Sequence, residues 1–477
     1  MNDVALYVPT DDAWAHFARG QTSVSEAMDT RFGPYLIARL LEAGYGFDFV
    51  DDTAINQFAQ VENGTLLLNG NRYGIVILPG VERMPYETLQ KLDRFARQGG
   101  VLVATHRAPS LAQGLMGAET ETRRIGELSQ RLFEGPAAPA RLVNDVARGL
   151  AQALHDRHPP DVSFSPASPD IGFVHRSAGW ADIYFLANTG NQTQRTQATF
   201  RVDGAEPEWW DPFTAETYAA GVLTRTETGN TKLALDLEPY GSRILVFSRR
   251  PLGLPKPRPS AVEIRENLPP PMDLSTGWKV TFLETTSPNV DTPHSQDPRP
   301  ATQTGKSVFM DHLRSWTIDE GTHFFSGEAV YEKTFTLPAS PLGSAADLWL
   351  DFGEGAGIRP QAGHREGMQA WFEAPVREAA VVYLNGQRAE SVWHPPYAAK
   401  LTGLLRAGEN KLRVVVANTA INRMAGSALP DYRLLNSRYG ERFTPQDMDG
   451  LQPLPSGLLG ALRLVARPAQ PTPYGAF

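Results

Sequence analysis

The chain has 477 residues, 41% hydrophobic and 21% charged, with a net charge of −8 and no cysteine. That length implies about three domains of roughly 150 residues, with enough apolar material for true cores. The acidic balance and the lack of a basic stripe with interleaved aromatics argue against a nucleic-acid partner or a polybasic attachment to lipid. Without cysteine there are no thiol nucleophiles, cysteine metal sites or disulfides. No stretch approaches the roughly 20 apolar residues of a membrane span, so no membrane association is expected.

The opening MNDVALYV runs straight into a strand, without the basic region, apolar run and small-residue cleavage site of a signal peptide. Two expectations stay open: the chain remains in the cytoplasm, or it starts downstream of its natural N-terminus. Residues 1–158 alternate strand and helix. Strands are predicted at Val4–Val8, Phe47–Val50, Tyr73–Leu78 and Val101–Ala104. Helices are predicted at Phe32–Ala43, stopped by Gly44, and at Tyr86–Gln98, stopped by Gly99-Gly100. Such alternation implies a parallel sheet covered on both faces, of flavodoxin-like form.

Residues 159–250 read as a small antiparallel β-sandwich. Its expected strands are Ala181–Ala187, Ala198–Val202, the region from Glu208, Leu233–Leu237 and Arg243–Phe247. Residues 251–271 are rich in Pro and charge and form an extended linker. Residues 272–470 are a run of short alternating strands. Val381, Tyr383 and Asn385 share one side and Val382 and Leu384 the other. Asn385-Gly386 signals a tight hairpin. The polar stretch Ser287–Lys306 reads as a loop. The fold class is therefore multi-domain α/β plus all-β.

Polar residues follow each predicted strand of the first segment: Asp11 and Asp12, then Asp51 and Asp52, then Glu82 and Arg83, then His106 and Arg107. Ligands of such sheets bind at this edge, and paired aspartates offer hard oxygens to Mg²⁺ or Ca²⁺. The same residues equally suit helix caps or a docking surface. A phosphoryl acceptor would need an aspartate where Pro79 stands, and a phosphate site would need donors where PTDDAW offers negative charge. No chemistry of its own is expected from this segment.

In the last segment Trp316, Trp371, Trp393 and Tyr397 offer flat faces to a pyranose, and Asn385, Asn418 and Asn422 offer amides to its hydroxyls. Trp393 and Tyr397 flank Pro395-Pro396, where aromatics also pack corners, and Asn385 is accounted for by its turn. The carbohydrate-binding candidates are Trp371, Trp393, Tyr397 and Asn418. The long insertion Gly355–Met368, with Arg359, His364, Arg365 and Glu366, suits a functional loop. No GxSxG elbow, HExxH helix or P-loop is present. An inverting glycosidase needs two carboxylates roughly 6.5–9.5 Å apart, and spacing assigns no such pair, so no catalytic residue is named.

The landmarks VALYVPTDDAW, FDFVDDTAI, YGIVILPGVERMP, GGVLVATHRAP, SGEAVYEKTF, VYLNGQ, VWHPPY and NTAINRM, taken together, resemble the C-terminal part of family 106 α-L-rhamnosidases. The run from Phe325 to Leu464 also resembles the galactose-binding-like jelly roll of glycoside hydrolase family 2. WWDPFTAET is similar to the WDPxTG turn of sandwiches that follow glycosidase barrels, with Ala215 in place of the glycine. The resemblance implies hydrolysis of terminal α-L-rhamnosides with inversion, by two glutamates on a (β/α)₈ barrel with calcium nearby. That barrel is not in this sequence, so no catalytic glutamate carries over to it. The chain is expected to be a non-catalytic portion that works with a catalytic barrel, in cis or in trans, on rhamnose-containing glycans. The alternative is a stand-alone carbohydrate-binding protein. No cofactor is expected from the chain itself; calcium enters only through the resemblance, as does a periplasmic or secreted location if the natural start lies upstream.

Overall fold

The computed structural model describes residues 2–17, 20, 24–114, 118–203, 205–212, 217–226, 229–249, 269–283, 305–338, 346–359, 370–427, 432–440 and 450–468. The chain divides into two compact units, Met1–Leu237 with Ser242–Pro257, and Glu238–Gly241 with Arg258–Phe477. It is a mixed α/β protein with several sheets.

The first unit opens with five parallel strands, β1 (Val4–Tyr7), β2 (Phe47–Val50), β3 (Ile75–Pro79), β4 (Val101–Thr105) and β5 (Arg141–Val143), in the order β2-β1-β3-β4-β5. Every residue of β1, β3 and β4 is buried, which is why these strands read as unbroken apolar runs. Alternate side chains serve two cores. Ala5, Tyr7, Val76, Leu78, Leu102 and Ala104 share one with Leu89, Leu92 and Phe95 of α4 (Tyr86–Arg97) and Ile125, Leu128 and Leu132 of α5 (Ala118–Phe133). Val4, Leu6, Ile75, Ile77, Val101 and Val103 share the other with Leu36 and Leu40 of α3 (Leu36–Glu42) and Leu150 and Leu154 of α6 (Val146–His155).

The helix expected over 32–43 begins only at Leu36. Gly33 adopts φ +67° and Pro34 cannot continue a preceding helix, so α2 (Val24–Phe32) ends there. α1 (Thr10–Ala15) follows β1 directly. An antiparallel meander (Gln60–Glu62, Thr65–Leu68, Asn71–Tyr73), not expected from the sequence, precedes β3.

The rest of the first unit is antiparallel. One sheet has the order β7-β8-β14-β10-β11 and the other β12-β13-β9-β6. The strands are β6 (Val162–Ser165), β7 (Ile171–Ala178), β8 (Ala181–Asn188), β9 (Gln194–Phe200), β10 (Glu206–Trp210), β11 (Thr217–Ala219), β12 (Val222–Arg225), β13 (Thr231–Leu237) and β14 (Ser242–Ser248). Tyr184, Leu186, Phe200, Leu233, Leu235, Leu245 and Phe247 fill the core between them. Phe213–Glu216 of the WWDPFTAET stretch, Ala215 included, lie outside the described residues.

Gly44 joins these strands to the parallel sheet. It adopts φ +87°, and a Cβ there would sit 1.9 Å from the carbonyl oxygen of Val162; its own carbonyl accepts the Asp161 N–H at 3.0 Å. Next to this junction a polar cluster is buried. His175 Nδ1 lies 2.8 Å from Asp161 Oδ2, and Nε2 lies 3.3 Å from Asp182 Oδ1. Tyr184 donates its hydroxyl to Asp161 Oδ1 at 2.8 Å and stacks on the imidazole at 4.0 Å. Arg249 closes the cluster on Asp182. Carboxylates only accept, so the charged imidazole, which donates from both nitrogens, suits the two contacts, and they raise the His175 pKa against its burial.

The second unit carries two larger antiparallel sheets with a shared core, beside two short two-stranded ones, Ala356–Gly357 with Phe372–Glu373 and Val376–Arg377 with Gly457–Leu458. The strands of the two larger sheets are β15 (Met272–Asp273), β16 (Thr276–Leu283), β17 (Gly305–His312), β18 (Glu328–Leu337), β19 (Ala346–Asp351), β20 (Ala379–Leu384), β21 (Gln387–Val392), β22 (Ala398–Lys400), β23 (Gly408–Ala417) and β24 (Arg463–Pro468). The six-stranded sheet runs β17-β16-β18-β23-β20-β21 and the four-stranded one β15-β24-β19-β22. Trp278, Tyr331, Val382 and Val414 from the first meet Leu348, Leu350, Ala399 and Leu464 from the second. The β20–β21 hairpin turns on Asn385 (φ 53°) and Gly386 (φ 84°) as the dipeptide predicts. Residues 251–268 of the Pro-rich stretch, residues 284–304 with most of the polar stretch read as a loop, and the insertion residues His364, Arg365 and Glu366 lie outside the described residues.

Candidate functional site

Parallel strands end together, so the loops after β1 and β2 meet at one edge of the sheet. A cleft of about 540 Å³ opens there, lined by Asp11, Asp51, Asp52, Asn56, Glu87 and Gln113 among others, with no lysine or arginine in its wall among the described residues. The carboxylates are not equivalent. Asp52 accepts the Tyr7 hydroxyl at 2.8 Å and the Thr88 hydroxyl at 2.6 Å. Burial pushes its pKa up against those hydrogen bonds, and the charges of Asp11 and Asp51 add to the rise. Burial also raises Asp11. Tyr7 rises well above the usual phenol range, through burial and then the charge of Asp52. Asp51 accepts the Ala54 N–H at 2.7 Å and so starts the following helical turn. Asn56 bridges the cleft by donating to Thr88 Oγ1 at 2.8 Å and Glu87 Oε1 at 3.2 Å.

Asp12 turns away from the cleft. It is fully buried, pairs with Arg31 Nε at 2.5 Å and accepts the Arg83 N–H at 3.0 Å, which ties α1 and α2 to the loop after β3. Asp12, His16 and Glu82 are the one set of three such side chains, among the described residues, whose ligand atoms lie within 4.8 Å of one another. They do not fit the calcium that the resemblance implies. Calcium takes six to eight oxygens, whereas this set offers an imidazole, and Arg31 and Arg107 already engage its carboxylates, the latter at 3.5 Å from Glu82. What the edge offers chemically is negative charge and hydrogen-bond acceptors.

Asp11, Asp51 and Asp52 are thus brought together as the sequence suggests, while Asp12 secures the helices beside them. His16, Glu87 and Thr88 escaped sequence reading. Glu87 and Thr88 lie in the first turn of α4, and the signal that could have found them is that this turn follows the loop after β3 to the same sheet edge.

Of the aromatic and amide candidates of the second unit, Tyr397 and Asn418 are engaged in the fold. Tyr397 is 7% exposed and belongs to the core, nearly parallel to Phe372 at 6.4 Å; burial pushes its hydroxyl up to about 12. Asn418 donates to Phe325 O at 2.9 Å and Ser456 Oγ at 3.0 Å and accepts from Gly327 N at 2.9 Å, so its amide holds loops together. Trp371 is half-buried. Trp393 is 56% exposed, edge-on to His394.

Residues 37–222 match the family model of glycoside hydrolase family 106, alpha-L-rhamnosidase. The resemblance read from the sequence is borne out there, and the chain is glycoside hydrolase-like. The matched stretch runs from α3 to the start of β12. The solved rhamnosidase from Novosphingobium sp. PP1Y is similar in fold, with a TM-score of 0.63 at 22% identity, over 98% of this chain and 39% of that one. A protein of Formosa agariphila named "Putative beta-glucuronidase" is 25% identical over 215 residues, 45% of this chain and 18% of that protein. The chain spans well under half the length of either.

Proposed function

We propose that this chain is the accessory, non-catalytic portion of an α-L-rhamnosidase-like glycoside hydrolase, whose action on rhamnose-containing glycans belongs to a catalytic barrel held in cis or in trans. The observation that carries the reading is coverage: 98% of this chain finds a counterpart in 39% of a rhamnosidase. The reading takes residues 1–158 as a flavodoxin-like module, 159–250 as a small β-sandwich, 251–271 as a linker and 272–470 as a galactose-binding-like jelly roll. The parallel strand order 2-1-3-4-5 supports the first assignment. Two antiparallel sheets around one core support the last.

A barrel needs a surface on which to sit. β2 is an edge strand, and Phe49 on it is 55% exposed, in edge contact with Phe47 at 5.3 Å and Phe32 at 5.8 Å. Ile37 and Leu41 stand exposed one turn apart on α3. Exposed apolar clusters of this kind mark interaction sites. In sedimentation, the chain should form a one-to-one complex with a separately produced rhamnosidase barrel, and Phe49→Asp should weaken it by about tenfold or more. A barrel that ignores the wild-type chain would sink the reading.

The second reading, a stand-alone carbohydrate-binding protein, is favoured by the exposure of Trp393. The packing of Tyr397 and the occupied amide of Asn418 weigh against it. Calorimetry with rhamnose-bearing glycans separates the two, because this reading alone requires Trp393→Ala to abolish a measurable affinity.

A further inference from the structure

Strand register on the six-stranded sheet of the second unit lines up one row of side chains on its outward face. Lys279 pairs with Glu332, Glu332 with Arg413, and Arg413 with Tyr383. Lys411, two residues along β23, pairs with Thr334. The alternate residues Val280, Leu412, Val414, Val382 and Leu384 fill the core, so this set is turned outward. A cleft of about 580 Å³ forms over the row, within the range of small-ligand sites. Lys333 is in register with the core residue Leu412, so its ammonium is turned to the other face, where it donates to the carbonyl of Thr276.

Three cations, Lys279, Lys411 and Arg413, and one carboxylate, Glu332, turn their charges to this cleft, in a chain whose net charge is −8. Lys279 is engaged by Glu332 at 3.4 Å, and the Arg413 guanidinium lies over the Tyr383 ring at 5.1 Å. Among the described residues neither Lys411 nor Arg413 has a carboxylate partner. A concave surface of one sign focuses its field and draws in the opposite charge.

We propose that this face binds an anionic saccharide, a sugar carrying a carboxylate or sulfate with hydroxyls beside it. The guanidinium fork of Arg413 matches such an anion in a two-point contact, with Lys411 adding charge. Glu332 and Thr334 supply acceptors for neighbouring hydroxyls. A carboxylate in the middle of the row suits a sugar, whose charges are spaced by hydroxyls, and repels the dense phosphates of a nucleic acid. The site goes beyond the accessory reading and shares with it only the saccharide class of the ligand.

Calorimetry on the full chain tests this with a galacturonate trimer, a sulfated oligosaccharide of the same length, a neutral galactose trimer and a single-stranded oligonucleotide. One or both anionic sugars should bind at low salt, the tighter of the two identifying the anion, and the neutral sugar should not. Binding should weaken by about tenfold between roughly 0.02 and 0.5 M salt. Lys411→Glu with Arg413→Gln should weaken it by about tenfold or more, with an unchanged Tm showing that the sheet is intact. Equal binding of the neutral sugar, tighter binding of the oligonucleotide, no binding of either anionic sugar, or indifference to the double variant at unchanged Tm would overturn the proposal. Since none of these readouts involves a barrel, the site and the accessory reading fail separately.

Discussion

Asp52 at the edge of the parallel sheet and Asp182 in the β-sandwich are the same residue in opposite settings. Burial raises the pKa of both. At Asp52 only two hydroxyls oppose it, while Asp11 and Asp51 reinforce it, and the pKa ends raised. At Asp182 the hydrogen bonds from His175 and Ser177 and the charge of Arg249 outweigh burial, and the pKa ends lowered. His175 mirrors this: burial disfavours its charge, but its hydrogen bonds to Asp161 and Asp182 hold its pKa above the usual value. The sandwich cluster is a closed circuit of charge that supports the fold. The sheet edge is left with excess negative charge, the condition of a surface that meets something else.

Replacing His175 breaks the comparison most severely. His175→Leu leaves Asp161 and Asp182 buried without their central cation, and breaking a buried ion pair costs about 3–5 kcal/mol. Hydrogen-exchange protection of β8 and β14 should fall accordingly, with the sheets of the second unit unaffected. A loss below about 1 kcal/mol would mean the cluster is not a closed circuit.

The pH dependence is the next effect in size. A histidine raised above its ordinary 6.5 stabilises fully below that value, and the contribution is lost as pH rises through the folded pKa. A carboxylate held below 3.8 stabilises fully above it, and the contribution is lost as pH falls through the folded pKa. The sandwich should therefore be most protected in the acidic-to-neutral window between these limits and weaken on the alkaline side. His175→Leu should remove the alkaline loss.

The smallest effect has the opposite sign. Asp52 is raised above 3.8, so its charge costs stability above the folded pKa, and that cost vanishes as pH falls toward 3.8. Asp52→Asn removes the charge, keeps one acceptor oxygen and offers an N–H to the second hydroxyl, which can rotate to accept it; it should stabilise the first unit at neutral pH by less than about 1 kcal/mol, with no gain at low pH. A destabilisation at neutral pH would show that the carboxylate is needed in the fold.

The parallel sheet was legible because its central strands β1, β3 and β4 are buried on both faces and read as short apolar runs bounded by Pro, Gly and Asp. β1, β2 and β4 fall within a residue of expectation, and β3 is displaced by two at its start. α4 was equally plain, since Leu89, Leu92 and Phe95 recur at helical spacing. α5 was missed although its apolar residues keep the same spacing, because a polar first half, AETETRR, hides the period. The sheet edge could be placed because strand ends define it, but the division of labour among its aspartates could not. Whether Asp12 faces a cleft or Arg31 depends on α2, which the sequence did not reveal. The same limit applies to Tyr397 and Asn418, whose residue types suit a sugar as well as a core corner or a loop tie. The row from Lys279 to Tyr383 required the register of four strands separated by long loops, which no local pattern carries.

The most direct test of the account is turnover of an aryl α-L-rhamnoside by the purified chain, alone and with a separately produced barrel. The accessory reading predicts none above background alone, and hydrolysis when the barrel is added that exceeds that of the barrel by itself. Turnover by the chain alone at the roughly 1–10³ s⁻¹ typical of enzymes would contradict it and place a catalytic pair within these residues.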